Sequence, residues 1–540
     1  MAITENHKAH NVEVNEHAPV AATDAETSQL GRLANQVDHE EGKLASFRKY
    51  PWACLWCIYM VWLVLLVSFE NQAAGNVIGI PQFRKDFGRE FKAADGTVSY
   101  VVEAKWQSAF QGAPVASAIV GALGCGQLAD WLGRRLVVMI CLAVTFVAIA
   151  MEFVATTNAL FFGGKFLNGF VLGALASVTV TYIGEIAPLK LRGMLTCLTA
   201  LAYTLGPLTV ALIVNSTGVY TTRWAYRSVF AAQFGFAAIA SAIVWFMPES
   251  PWWLVSKERQ ADALRALNKL GHTGPEGEQK LAQILTTLQE VRRETEGVTY
   301  LECFRKSNLR RTIISVMPLC IQALSGIAFA ASYSTYYMQL AGFTTAMSFK
   351  LQIVQQVISL VGNVMSWYLV DRVGRRNLTF WGLFVLTIIL FVMAGLAVVG
   401  TVPALKGAIS MILLYCWWYN VTIGATAYTI LCETSTSRLR VKTIAIGLAL
   451  QNGLQTMWSF TLPYLFNPDH LNLGGRLGFI FGGLAVICLV YLWLFQPETA
   501  GRTYEELDEM FVKKVPARKF KTYQTDTQAM GEAVKEKDGM

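Results

Sequence analysis

Long apolar stretches separated by short polar ones run through most of this sequence, from about residue 52 to residue 495. Each stretch is close to the ~20 residues that a helix needs to cross about 30 Å of hydrocarbon. Because a spanning segment must satisfy its own backbone hydrogen bonds, stretches of this length can only be helices. The pattern predicts twelve transmembrane helices, at 52–79, 107–128, 136–155, 160–184, 194–214, 229–247, 312–340, 349–370, 378–399, 408–432, 442–465 and 476–495.

The polar gaps contain motifs that occur twice. GQLADWLGRR at 126–135 returns as WYLVDRVGRR at 367–376, and the PES at 248–250 returns as PET at 497–499. A Glu with following Arg residues also recurs, in YIGEIAPLKLRG at 182–193 and in YTILCETSTSRLR at 428–440. All three pairs are separated by nearly the same length of chain, which indicates a duplicated unit of six helices.

The composition supports a membrane protein and excludes several other classes. Hydrophobic residues make up 54% of the chain and charged residues 15%, against about 25% charged in soluble domains. The net charge of +8 comes from basic residues in the short gaps, so it indicates membrane topology rather than nucleic-acid binding. Nearly all of the ten cysteines lie in apolar stretches, and the histidines lie in tails or loops. We therefore predict no disulfide framework, no metal site and no cofactor.

Loop charge predicts the orientation and the domain organisation. Basic residues concentrate in the gaps that follow even-numbered spans, counted in chain order. Both termini and the loop at 249–311 are therefore predicted to be cytosolic. Within that loop, 257–271 and 276–296 have the spacing of amphipathic helices. The sequon at Asn215 falls on the outer side, where it could be glycosylated. The predicted units are a disordered N-terminal tail at 1–50, a six-helix bundle at 51–248, the helical loop, a second bundle at 312–496 and a C-terminal tail at 497–540.

With these motifs in order, the chain resembles the sugar porters of the major facilitator superfamily. The two GRR motifs, YIGEIAPLKLRG, PESPWWL at 248–254 and PETAGRTYEELDEMF at 497–511 carry the resemblance, which covers about residues 50–512. WWYNVTIGATAYTI at 417–430 and Trp252 are similar to the fungal alpha-glucoside (maltose) permease branch. The resemblance implies an all-α fold of two six-helix bundles, a substrate site between them near mid-membrane, and transport by rocking of the bundles. It also implies a monomeric, non-enzymatic protein of the plasma membrane.

Two charged residues interrupt the apolar spans and are candidates for proton coupling. Glu70 follows an uncharged run and lies about 25 Å from the inner face, while Lys165 lies about 9 Å below the outer face. The two depths nearly agree, so the residues could pair. Charges inside a membrane are costly and mark function by default. By resemblance, Glu70 matches the proton-carrying acid of proton-coupled sugar porters; the alternative is a static buried pair.

Amides and aromatic rings inside the spans are candidates for sugar binding, because a sugar needs hydrogen-bonding groups and flat apolar faces. Buried amides also join helices, so each candidate has a structural alternative. Compared with the family, polar groups are missing at Val67, Ala118 and Ala200, and a less hydroxylated substrate is therefore an open alternative. The candidates are Gln72, Gln322, Asn363, Asn420, Tyr428, Gln451 and Asn452.

Charged residues at the inner helix ends are candidates for a cytosolic gate. By resemblance they form charge networks that close the inner side, and pairs made in one state and broken in the other would give two discrete positions. The alternative is a topology signal only, although carboxylates contribute little to such a signal. These residues are Asp130, Arg134, Arg135, Glu185, Arg192 and Glu249 in the first half, and Asp371, Arg375, Arg376, Glu433, Arg440 and Glu498 in the second.

The sequence as a whole predicts a secondary active transporter that opens alternately to the two sides of a lipid bilayer. The first interpretation is symport of a sugar, such as an alpha-glucoside, with protons. A carrier of a less polar organic compound, working as importer or exporter, and a non-transporting sugar sensor remain alternatives. No nucleophile–base pair or metal constellation points to an enzyme.

Overall fold

The computed structural model describes residues 43–523, except 93–97, 189–190, 296–298, 436–438, 468–469, 501, 503 and 521. Most of the predicted N-terminal tail, 1–42, and the last part of the predicted C-terminal tail, 524–540, lie outside these residues. The described chain is almost entirely helical, as predicted. Ten of its helices are long and apolar enough to cross a membrane.

The first half forms a bundle of six long helices. These are α2 (Pro51–Ile78), α4 (Ala104–Leu132), α5 (Arg134–Val154), α6 (Asn158–Ile186), α7 (Arg192–Thr217) and α8 (Trp224–Val244). A short helix α1 (Lys43–Lys49) precedes them, and a short helix α3 (Pro81–Phe87) with strands β1 (Arg89–Lys92) and β2 (Val98–Val101) connects α2 to α4. The strands pair antiparallel, with Arg89 opposite Val101. The prediction from sequence contained helices only and did not include this hairpin.

Three helices follow in the central loop. They are α9 (Pro251–Ser256), α10 (Gln260–Leu270) and α11 (Pro275–Thr295), close to the helices predicted at 257–271 and 276–296. Ser250 caps α9 by accepting a hydrogen bond from the amide of Trp253 at 3.4 Å, and Pro251 occupies the first turn, where no amide donor is needed. Their apolar faces form a small core of their own, which includes Trp253, Leu267 and Ile284.

The second half repeats the bundle with two interrupted helices. A 3₁₀ turn (Tyr300–Phe304) leads to α12 (Lys306–Leu324), α13 (Ile327–Ser332), α14 (Ser334–Leu340), α15 (Thr345–Val373), α16 (Arg375–Val399), α17 (Val402–Val421), α18 (Ile423–Thr434), α19 (Arg440–Phe466) and α20 (Leu477–Phe495). A terminal helix α21 (Tyr504–Val512) follows. The buried apolar side chains form two large clusters, one for each half.

The span predicted at 312–340 is a single helix in the prediction and three helices in the structure. It breaks at Gly326, which has a φ of +95° that favours glycine, and again at Tyr333. The span predicted at 408–432 likewise divides into α17 and α18 at Thr422. Two predicted spans are not among the ten apolar helices: the one at 312–340, and the one at 442–465, which is α19. We call the end of the bundles that carries α1, α9–α11 and α21 the inner end and the opposite end the outer end.

Candidate functional site

A buried cluster of three charged side chains lies inside the first bundle. The Nζ of Lys165 on α6 lies 2.5 Å from Oε1 of Glu70 on α2 and 3.0 Å from Oε2 of Glu152 on α5. The side chains of Lys165 and Glu152 are 0% exposed and that of Glu70 is 2% exposed. The structure thus places the predicted pair in direct contact, and adds a second carboxylate.

Glu152 was missed by the sequence reasoning. It lies near the end of the span predicted at 136–155, where a carboxylate can usually reach the membrane surface. In the structure its Oε1 accepts a hydrogen bond from the side-chain amide of Asn168 at 3.1 Å, which turns it toward α6. Asn168 follows Lys165 by three residues, so both lie on one face of α6. One signal in the sequence could have indicated Glu152. It is an acid near the end of one span, and the next span contains a Lys and an Asn three residues apart.

Aromatic rings cover the charged cluster on its outer side. The Lys165 ammonium lies 5.5 Å from the ring centre of Phe161 and 5.1 Å from that of Phe230, which is within cation–π range. Phe161 in turn packs against Phe83 of α3 at 5.2 Å and Phe110 of α4 at 4.8 Å. This layer separates the charges from the outer solvent in the observed conformation.

Three of the predicted sugar-binding residues form a hydrogen-bonded chain in the second bundle. The hydroxyl of Tyr428 donates to Oε1 of Gln451 at 3.2 Å, and Nε2 of Gln451 donates to Oε1 of Gln322 at 2.7 Å. Nε2 of Gln322 then donates to the carbonyls of Ile423 at 2.9 Å and Gly424 at 3.1 Å. Gln322 therefore bonds to two carbonyls in the first turn of α18, and it also orients the other two side chains.

The other predicted sugar-binding residues are dispersed. Gln72 donates to the carbonyl of Ala331 at 3.2 Å, which is a contact between the two bundles. The amide of Asn420 donates to the carbonyl of Cys416 one turn earlier, at 2.8 Å. Asn363 is half-buried and Asn452 is exposed on α19, one residue after Gln451. Only the chain of Tyr428, Gln451 and Gln322 is assembled in this conformation.

The two bundles touch at their outer ends, where the sequence reasoning identified no gate. Gly75 of α2 lies so close to Ser332 of α13 that a Cβ at position 75 would be 2.5 Å from its carbonyl oxygen. Arg84 of α3 donates to Oε1 of Gln339 at 2.6 Å and lies 5.3 Å from the ring centre of Tyr336. Further hydrogen bonds join Gln339 to Gly79, Gln107 to Asn467 and Ser108 to Phe460.

Deeper in the surface between the bundles, side chains are accessible. Tyr203 of α7 is 45% exposed and Tyr428 of α18 is 47% exposed, although protein atoms surround both. The two tyrosine side chains lie near each other, one on each bundle. This combination of a tight outer end and accessible inner residues is the arrangement of a molecule that is closed on its outer side.

The predicted gate residues of the first half whose side chains the structure describes form one network inside the first bundle. Nη2 of Arg134 lies 2.9 Å from Oε1 of Glu185, and Nη1 lies 3.4 Å from Oδ1 of Asp130. Glu249 accepts hydrogen bonds from the backbone amides of Arg134 at 2.8 Å and Arg135 at 3.1 Å. Burial raises the pKa of Glu249, although the backbone amides that it accepts from oppose the rise.

The second bundle repeats this network. Nη2 of Arg375 lies 3.0 Å from Oε1 of Glu433, and Glu498 accepts from the backbone amides of Arg375 at 2.9 Å and Arg376 at 3.2 Å. The glycine before each Arg pair, Gly133 or Gly374, has a positive φ, of 93° or 90°. A Cβ at either would lie within 2.7 Å of the Glu249 or Glu498 carboxylate, so the repeated Gly-Arg-Arg needs its glycine.

Four predicted site residues remain outside these descriptions. The side chains of Arg192, Asp371 and Arg440 are not among those that the structure describes. Asn215 lies in the last turn of α7, half-buried. Within the described residues, no group of three or more His, Cys, Asp or Glu side chains has the arrangement of a metal site.

Comparison with known proteins identifies the family to which this chain is similar. A family model described as "Sugar (and other) transporter" matches residues 64–511. A general alpha-glucoside permease of Saccharomyces cerevisiae is 28% identical over 90% of this chain and 80% of its own length. A maltose permease of the same yeast is 30% identical, over 94% of this chain and 83% of its own length. The inward-open structure of the Escherichia coli xylose transporter XylE has a TM-score of 0.68 at 21% identity, covering 84% of this chain and 98% of that one.

Proposed function

The chain belongs to the family of sugar and other transporters, and from that premise we propose that it carries an alpha-glucoside across a membrane together with a proton. Its relatives in yeast are named as permeases for alpha-glucosides and maltose, and these are the sugars we expect it to bind. We place it in the plasma membrane, with both termini in the cytosol and as a monomer. The protein acts as a carrier and not as an enzyme.

The observation that carries the proton part of the proposal is the buried contact between Glu70 and Lys165. A carboxylate in the middle of a membrane helix is costly to keep, so its presence favours a role in transport. Glu70 lies on α2, the same helix whose Gln72 and Gly75 contact the second bundle. Movement between the bundles would therefore change the surroundings of Glu70, which is what loading and release of a proton require.

The sugar would bind between the bundles, where amide and hydroxyl groups are already oriented. Gln322 is held by two carbonyls, and it aligns Gln451 and through it Tyr428. Accessible Tyr203 faces the same region from the first bundle. Two aromatic rings and two amides provide the flat faces and hydrogen-bonding groups that a sugar ring needs.

The charge networks at the inner ends serve, in this proposal, as the cytosolic gate. In the closed-outside conformation the ion pairs of Arg134 and Arg375 lie within their own bundles. Opening of the outer side would bring the two inner ends together, and the same Arg residues could then exchange partners across the bundles. Such an exchange gives the rocking motion two discrete end positions.

The test is uptake of radiolabelled sugars in a yeast host that lacks its own transporters, at two external pH values. We expect maltose uptake that rises at acid pH and accumulates against its gradient. Glu70→Gln should abolish accumulation but keep sugar counterflow, which needs no net proton movement. Glu90→Gln, an exposed acid in the β1 strand, is the matched control. Unchanged accumulation in Glu70→Gln would refute proton coupling through this residue, and a wild-type protein that takes up no alpha-glucoside would refute the substrate class.

A further inference from the structure

We propose that Glu152 is the permanent counter-ion of Lys165, and that Glu70 and Glu152 together hold one exchangeable proton. This inference deepens the proposed function, since it rests on a proton being the coupled ion. It assigns a positioning role to Glu152, a residue that the sugar-porter motifs do not include. The argument comes from the contacts of the cluster, its charge balance and its position relative to the second bundle.

The contacts show one cation shared by two acids. The Lys165 ammonium is within 3.0 Å of both carboxylates and has donors for both. Glu152 is also held by the amide of Asn168, so its position is set by two groups. Glu70 is held by Lys165 alone among the described residues, whereas Oε2 is buried without a hydrogen bond in both acids, and Oε2 of Glu152 meets Lys165 as an ion pair at 3.0 Å. The two acids therefore differ in how firmly each is fixed.

The charge balance requires a proton. With all three groups ionised the cluster would have a net charge of −1, in a place where the three side chains are at most 2% exposed. An uncompensated charge in such surroundings is strongly unfavourable. Glu70 and Lys165 are the charged groups that act on Glu152. A neutral cluster therefore contains one protonated carboxyl group.

Other charged groups near these helices make their contacts toward the outer end. Arg227 of α8 lies over the ring of Phe153 at 5.3 Å. Asp86 of α3 accepts a hydrogen bond from Tyr226 at 2.9 Å and lies 3.4 Å from Arg223. None of them is among the charged groups that act on Glu152. They do not supply the missing positive charge.

The position of the helices decides which acid exchanges the proton. Glu70 lies on α2, and two residues that follow it on the same helix, Gln72 and Gly75, contact the second bundle. Glu152 lies on α5, which packs on α4, α6 and α8 within the first bundle. Rocking of the bundles therefore exposes Glu70 first, while Glu152 stays with Lys165.

The presence of Glu152 determines which form of the sealed cluster is stable. A simple pair of Glu70 and Lys165 would be neutral when empty and positive when a proton is bound. With Glu152 added, the cluster is neutral when the proton is bound and negative when it is empty. The carrier that can reorient with this cluster sealed from water is then the proton-loaded form. This couples reorientation of the bundles to transport of the proton. Glu152→Gln reverses this preference and should allow the proton-free carrier to reorient.

The first test counts protonated carboxyl groups directly, by infrared spectroscopy of the purified full-length protein in lipid at neutral pH. We expect the wild type to show the band of one buried protonated carboxyl group. The band should disappear in Glu152→Gln and also in Glu70→Gln, because either change leaves a neutral acid–lysine pair. Gln233→Leu is the control: this buried amide of α8 has no hydrogen-bond partner among the described residues, and its loss should leave the band unchanged. A wild type without the band, or a band that persists in either Glu variant, would overturn the proposal.

The second test measures transport of maltose. Glu152→Gln should still exchange sugar, while its accumulation ratio falls toward unity and its uptake loses the dependence on external pH. A purely structural role would instead lower the rate at every pH and leave the pH profile in place, which would overturn the inference. The infrared result needs neither a sugar nor a gradient. If the band behaves as expected but the wild type shows no proton-driven uptake, the proposed function fails and the shared proton stands.

Discussion

The tight contact at Gly75 allows a quantitative prediction for the outer closure. In the Gly75→Ala variant the new Cβ would lie 2.5 Å from the carbonyl oxygen of Ser332. Normal non-bonded separations between heavy atoms are about 3.5 Å, so the bundles would have to separate by roughly 1 Å at this point. The obstacle is backbone at the end of α13, which cannot rotate away as a side chain could.

The cost falls on one conformation only. Overpacking of this kind costs about 1–3 kcal/mol. The gain in helix propensity from Gly to Ala, about 1 kcal/mol, applies in both conformations and cancels. The ratio of outer-open to outer-closed molecules should therefore rise about 5- to 150-fold. Net uptake should fall because each transport cycle must pass through the closed state.

Electron–electron distance measurements between spin labels test this shift. Labels at Lys85 of α3 and Met347 of α15 report the distance between the outer ends, and both residues are exposed. Gly235→Ala in α8 is the control, because a Cβ there has no heavy atom within 4 Å. We expect a longer distance to become dominant in Gly75→Ala and no change in Gly235→Ala. A Gly75→Ala protein with the wild-type distance distribution would contradict the reasoning.

Three further predictions concern other contacts. Arg84→Gln removes the charged hydrogen bond at the outer closure, worth roughly 1.5–3 kcal/mol, and should also favour the outer-open state in the same distance measurement. Tyr428→Phe removes the hydroxyl that donates to Gln451 and should weaken binding of maltose about 5-fold in equilibrium binding, with wild-type affinity as the contrary result. Glu276→Gln should release the central loop, measured as faster proteolysis of α10 and α11. Partial burial raises the pKa of Glu276, but hydrogen bonds from Tyr50 and Lys49 outweigh it, so the net pKa is lowered. The central loop of the wild type should therefore stay docked at neutral pH and loosen only as pH falls below the ordinary range of the carboxyl group. A proteolysis rate that changes neither with Glu276→Gln nor with low pH would contradict this.

Features that repeat along the chain were readable from the sequence. The twelve apolar stretches and the paired motifs predicted the fold and the family. The depths of Glu70 and Lys165 could be compared because a helix rises a constant ~1.5 Å per residue. The pair is therefore visible in one dimension, before any packing is known. Their contact at 2.5 Å agrees with that comparison.

Features that depend on helix rotation were not readable. Glu152 could have turned to lipid, to the membrane surface or to the bundle interior, and only the packing of α5 on α6 shows that it turns inward. The contact of Gln322 with the carbonyl of Ile423 was hidden for the same reason. Hydropathy also underestimates helices that line the surface between bundles, such as α19, because their polar face lowers the average.

The sequence by itself determined the number of apolar segments, their duplication and the residue types at each depth, because all of these follow from order along one chain. The tertiary structure decided which side chains meet and which end of the molecule is closed. Those properties depend on helix rotation and on contacts between bundles, where one close approach such as that of Gly75 and Ser332 sets the state. For this reason the third member of the charged cluster and the outer closure emerged only from the folded molecule.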